Sequence, residues 1–380
     1  MLDIGILDAP MIVLYEVSLM ANIDNNERKI KMKRILAMIL ALSMILALCA
    51  CGQTAAPAPT AAPAPAKVPA ADPAPAEPAS AEVNWPDFIT IGGGGSTATF
   101  YAVASALGQL ISENTDCTAT GQATNGGTNN MQLLQSGEIE LGMADQFTAN
   151  VAYTGAGDFE GKALANLRAV AVIYRGYFAI QATPGSGITT AADLAGKTVA
   201  VGMANSGTET VTRTVFGAMG YDYTNASDIK AEFVGASSGT DLLRNGQADA
   251  MTFLAPIPDS SQTEIMLTAK THLVSVSDEA LVQFESSDSP LAPDVIPAGT
   301  YDGQTEEIKT VYAPMVLWTT EDMDEDVIYE ITKMLYENLG TLANSNAVFG
   351  KITDENIVAG VSIPFHSGAE RFYREAGIIK

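Results

Sequence analysis

Three loops rich in glycine and hydroxyl residues hold the side chains whose types and spacing could do chemistry. Gly92-Gly93-Gly94-Gly95-Ser96-Thr97-Ala98 leaves an apolar strand pattern, Phe88 to Ile91, and enters a helical pattern near Phe100. Glycine permits a tight turn and close backbone approach, and the unpaired N–H groups of a helix start attract an anion. Gly95, Ser96 and Thr97 are therefore candidates to cradle a small carboxylate; a simple tight turn is the plainer alternative. A second loop, Gly202 to Glu209, repeats the plan: one of Ser206 and Thr208 can cap the helix while the other hydroxyl and Gly207 face a ligand. Capping alone explains that signal equally well. Gly235-Ala236-Ser237-Ser238-Gly239 has the spacing of a nucleophile elbow. The two histidines, His272 and His366, carry no surrounding motif, so no catalytic residue is assigned. Arg175, in Tyr174-Arg175-Gly176-Tyr177 after an apolar strand, could take a carboxylate through two parallel hydrogen bonds. A surface salt bridge is its alternative role.

Other partial motifs fail on their surroundings. Gly93-x-Gly95-x-x-Ala98 fits a loose dinucleotide fingerprint, but no clear acidic residue closes a second strand at the distance such a site needs. Gly196-Lys197-Thr198 resembles the end of a P-loop, yet Ala191 stands where the first glycine belongs and a strand pattern follows. Two isolated histidines and no cysteine cluster make a metal site a poor reading. The expectation is no cofactor and no metal. Glu321 to Asp326 reads as the first turn of a helix, where carboxylates suit the dipole.

Stepping outward, short apolar strands alternate with segments of helix length: Leu141 to Ala144, Ala169 to Ile173 and Thr198 to Gly202 all read as strands. Such alternation predicts an α/β fold with largely parallel sheets, ligands sitting beyond the carboxyl ends of the strands. An internal echo adds to this. Leu133 to Met143 matches Leu242 to Thr252 as helix end, glycine, acidic residue and buried strand, although helix, glycine cap and strand is also a common connection. Two lobes on one plan, with the ligand between them, are expected: residues 84–178 completed by 310–380, and residues 179–309.

The N-terminal part has a different character. Lys33-Arg34, the apolar run Ile35 to Leu48 and small residues before Cys51 read as an export signal, too short to span a bilayer. Leu48-Cys49-Ala50-Cys51-Gly52 resembles the bacterial lipobox, which puts lipid on Cys51 after cleavage of residues 32–50. Residues 1–31 carry five acidic side chains ahead of this signal and read as a non-native extension before Met32. Residues 51–83 are rich in alanine and proline. Proline keeps such a segment extended at about 3.1 Å per residue, so it reads as a tether. The expected location is extracytoplasmic, at the outer face of the cell membrane.

Charge narrows the partners. The 380 residues hold 44 Asp and Glu against 20 Lys and Arg, a net charge of −24. Such a surface repels phosphate backbones, so nucleic acid is excluded as a partner. Of three cysteines only Cys117 lies in the body, so no intrachain disulfide is expected there.

From Phe88 to Gly377 the chain resembles the TAXI-type solute receptors of tripartite TRAP-type transporters. The pieces are Ile91-Gly92 with its glycine loop and Phe100-Tyr101; Ala123-Thr124 through Asn130 to Leu134; Asp193 to Gly202; Asn205 to Glu209; Ile296 to Tyr301; and Ile363-Pro364 through His366 to Tyr373. Their order and spacing carry the likeness. It implies a two-lobed periplasmic-binding-protein-like (type II) fold, closing on a glutamate-like amino acid or dicarboxylate and delivering it to TRAP-type permease subunits, as a monomer. An exported partner of a sensor shares this fold and is the alternative function; an exported hydrolase ranks below it. Ligand positions carried over are Gly95, Ser96, Thr97, Tyr101, Thr124, Asn125, Ser206, Gly207 and Thr208. The chain departs from the family at Ala144-Asp145-Gln146-Phe147, at Thr97-Ala98 and at Arg175. Near the expected cleft, Asp145 suits an amino group, and Arg175, beside Tyr174, suits a carboxylate.

Overall fold

Continuous apolar runs suit strands covered on both faces, and in the computed structural model they build the centre of the molecule. The structure describes residues 83–224, 228–287 and 289–380. The N-terminal extension, the export signal, Cys51 and the tether up to residue 82 lie outside the described residues. No described helix is long and apolar enough to cross a membrane.

Strands β1 (Phe88–Gly92), β2 (Thr118–Gln122) and β3 (Leu141–Asp145) run parallel, with β1 between the other two. Strands β5 (Thr198–Ala200), β6 (Lys230–Glu232) and β7 (Ala250–Ala255) repeat that arrangement around β5. Two long strands, β4 (Leu167–Ala182) and β10 (Ile308–Thr320), join the triplets. They pair antiparallel with each other, while β10 also pairs β3 and β4 also pairs β7. The hydrogen-bonded order is β2-β1-β3-β10-β4-β7-β5-β6, with β8 (His272–Val274) on β4 and β9 (Ala292–Ile296) on β10. The α/β class with two mostly parallel strand sets is as the residue pattern predicted; β4 and β10 weld the sets into one path.

The echo seen in the sequence has a physical basis. Helix α2 (Gly127–Ser136) ends at Gly137, at φ 70°, before β3. Helices α3 (Gln146–Thr154), α4 (Gly207–Ala218) and α5 (Ala236–Arg244) follow α2 before the second triplet ends at β7, and α6 (Ser260–Ala269) comes after it. Just past α5, Gly246 sits at φ 67° before β7. In each copy the acidic residue then takes a backbone N–H of the neighbouring parallel strand: Thr90 donates to Glu140 at 2.7 Å, and Thr198 to Asp249 at 2.9 Å. The carboxylates pin strand register at matching points of the two triplets.

Helices cover both faces. Helix α1 (Thr99–Asn114) packs Val103, Leu107 and Ile111 onto β1 and β3, joined by Ile328, Ile331 and Leu335 of a C-terminal helix (Glu325–Glu337). The opposite face holds Trp318, whose indole N–H donates to the Ala144 carbonyl at 3.0 Å. The second triplet buries Phe178, Val199, Val211, Val215 and Phe216. Each such side chain contributes about 1.5–3 kcal/mol by burial.

Candidate functional site: a cleft at the strand ends

The carboxyl ends of both triplets open onto one cavity of about 390 Å³. Gly94 to Phe100, Asn125 to Gly127, Asp145 and Tyr174 line it from the first strand set; Met203, Ser206 to Thr208, Gly235 to Ser238, Phe253 and Asp259 are among those lining it from the second.

Among the described residues six helices start around this cavity, and their caps differ. Ser206 caps α4, accepting from the Glu209 N–H at 3.1 Å. Asp145 caps α3 through the Thr148 N–H at 2.8 Å, and Asp259 caps α6 through the Gln262 N–H at 3.0 Å. Helices α1, α2 and α5 have no side-chain cap. Their first-turn N–H groups lack intrahelical acceptors, so partial positive charge faces the cavity at three points.

The loops are braced from behind. Asn130, fully buried, donates from Nδ2 to the carbonyls of Gly92, Gly93 and Met143 at 3.1, 2.6 and 2.7 Å. The Thr124 hydroxyl donates to the Gly93 carbonyl and meets Asn130 Oδ1 at 2.7 Å. Gly93 itself approaches α1 so closely that a Cβ there would lie 2.7 Å from the Tyr101 Cα. Sequence reasoning put Thr124 and Tyr101 at the ligand; both instead shape the loop, and neither lines the cavity.

The strand sets touch beside the cavity through α2, α3 and α4. The Asn129 N–H donates to the Asn205 carbonyl at 3.0 Å, the hydroxyls of Thr128 and Thr210 lie 2.9 Å apart, and Arg213 pairs with Asp158 at 3.0 Å. Asn205 has φ 61°, a left-handed conformation for a non-glycine residue, at this contact.

Charge in the cavity is one-sided. No Lys, Arg or His among the described residues lines it. Asp145 is fully buried, and desolvation pushes its carboxyl up to about 6, offset in part by the Thr148 N–H. Burial also raises the Asp259 carboxyl. The Tyr174 hydroxyl is raised chiefly by burial, with Asp259 and then Asp145 adding to it, so both carboxylates act on one phenol.

Of the residues singled out in the sequence, Gly95, Ser96, Thr97, Asn125, Asp145, Tyr174, Ser206, Gly207 and Thr208 come together at the cavity. Arg175 does not. The apolar pattern predicts a strand ending near Ile173 with Arg175 just after it, whereas β4 runs on to Ala182. Successive strand residues leave opposite faces. The Arg175 guanidinium stacks over Tyr312 at 4.7 Å, lies 3.8 Å from Asp294, and lines a second cavity of about 270 Å³. Ser237 lines the first cavity, but His272 bonds to the Ile188 carbonyl and His366 caps a C-terminal helix (Ser367–Glu375). Asp259, Phe100, Met203 and Phe253 were missed. Asp259 precedes Ser260-Ser261 as an ordinary cap, a signal for a helix start and not for a ligand.

Residues 91–377 match the model of the NMT1-like family. Solved structures similar to this chain include the alkanesulfonate-binding protein SsuA from Xanthomonas axonopodis pv. citri bound to MOPS, at 16% identity over 76% of this chain and 84% of that one, with a TM-score of 0.42. The periplasmic aliphatic sulphonate binding protein SsuA from Escherichia coli matches at 16% identity over 78% and 90%, with a TM-score of 0.40. An ancestral arginine-binding protein bound to arginine matches at 14% identity over 70% and 96%, with a TM-score of 0.41.

Proposed function

The chain belongs to the NMT1-like family, and we propose that it is an extracytoplasmic solute receptor, anchored by lipid on Cys51, that serves a TRAP-type transporter. Its solute is a small carboxylate-bearing molecule, amino acids among them. One observation carries this reading: a cavity walled by the strand ends of both triplets, with three uncapped helix starts turned toward it. Backbone N–H groups and the hydroxyls of Ser96, Thr97 and Thr208 supply donors for a carboxylate without a basic side chain. A bond to a charged acceptor of this kind is worth about 1.5–3 kcal/mol.

Among the described residues only β4 and β10 carry hydrogen-bonded strand pairing from one strand set to the other, so bending there opens the cavity and the contact at Asn129 and Asn205 closes it. The receptor has lobes at residues 84–178 with 310–380, and at 179–309. It works as a monomer, without metal or cofactor, and does no chemistry on the solute. Small-angle scattering tests this directly: the radius of gyration falls when solute binds. A protein whose solute binds with no compaction is not a closing receptor.

A further inference from the structure

The charges in the cavity narrow the solute further, on the premise that the receptor reading is right. We propose that the solute carries a protonated amine and no net negative charge, and that Asp145 from the first strand set and Asp259 from the second, both lining the cleft, receive the amine.

Asp145 lines the cavity and is fully buried, and its Oδ2, packed beside Gly207, has no hydrogen-bond partner among the described residues. Capping α3 uses only Oδ1, and a neutral Asn or Ser caps a helix equally well. The charge is therefore not required by the helix. A buried carboxylate without a counter-charge is costly, and no basic side chain among the described residues lines this cavity to offset it. Asp259 adds a second carboxylate from the other strand set, also using Oδ1 for its own helix cap. Three uncapped helix starts each bring about half a positive charge. Those suit one carboxylate of the solute, leaving the two aspartates to an amine. A neutral or basic amino acid meets both demands. A dicarboxylate or an acidic amino acid brings a second anion into a site already holding two.

The test is calorimetry on the purified protein at pH 7.5 with four probes: L-ornithine, putrescine, L-glutamate and succinate. An amine probe without net negative charge is expected to bind at least about tenfold more tightly than either acid. Asp145→Asn and Asp259→Asn are each expected to weaken that amine roughly 10- to 100-fold, the loss of one charge-assisted contact, while the acids lose nothing. Asn keeps the cap, so folding, followed by thermal melting, is retained. Tighter binding of glutamate or succinate overturns the inference and leaves the receptor reading standing, because the cleft still takes a solute. Absence of binding by both amines, or unchanged amine affinity in both variants, also overturns it. The receptor reading falls separately, when no solute of any charge compacts the protein.

Discussion

Asp145 Oδ2 lies so near Gly207 that a Cβ at residue 207 would sit 2.5 Å from it. The carboxylate belongs to the end of β3 and the glycine to the first turn of α4, so this approach spans the two strand sets beside the cavity. Glycine is required there by space, since Gly207 is not among the positions of positive φ.

Gly207→Ala follows from that approach. Alanine is about 1 kcal/mol better than glycine within a helix, so melting of the unliganded protein is expected to stay near that of the parent. With the strand sets in contact, as they are here, the methyl group meets Asp145 and so opposes closure, and solute affinity is expected to fall roughly tenfold, about 1.4 kcal/mol. Equal affinity, measured by calorimetry, would show that the contact is not part of closure.

Arg175→Ala is expected to leave solute affinity within about twofold. The side chain is half exposed and its ion pair with Asp294 is long, at 3.8 Å, so stability should fall by no more than about 1 kcal/mol. A large loss of affinity would place the guanidinium at the solute after all.

Asp145 gives a signed pH dependence. Its carboxyl is raised from 3.8 to about 6 in the folded protein, so between those values the folded state binds more protons than the unfolded one. Stability is fully present below 3.8 and is lost as pH rises through about 6, on the order of 3 kcal/mol at most. Tyr174 and Asp259 share its cavity, and Glu209, Arg213 and Asp158 lie around α4 beside it. Asp145→Asn is expected to stabilise the unliganded protein at pH 8 and to flatten this part of the profile. Denaturant melts at pH 4, 6 and 8 check it; a variant equally destabilised at every pH contradicts it.

Cys51→Ser is expected to move the protein from the membrane fraction to the soluble one. Retention of the substituted protein on membranes after its signal has been cut would remove the lipid anchor from the account.

The sequence made the alternating elements and the loops legible because glycine clusters and apolar runs are local signals. Ser206 as a cap and the glycines after α2 and α5 fell where local rules put them. The length of β4 was not legible: Arg175-Gly176 looks like punctuation, yet the strand passes straight through, pairing Arg175 with Pro314 and Gly176 with Ala313. That pairing depends on β10, distant in sequence, and it decides which way Arg175 points. Asp259 was invisible for a similar reason. Its cap is local, but its place in the same cavity as Asp145 depends on how β7, just before it, and β3 are joined through the sheet.

The most direct test of the central claim is a thermal-shift screen of the purified protein over amino acids, amines, and di- and tricarboxylates, with each hit titrated by calorimetry and the solute recovered afterwards. The account predicts that at least one small carboxylate-bearing solute raises the melting temperature, binds at one site per chain and is recovered unchanged. A screen without a shift, or a hit recovered as a cleaved product, would contradict it.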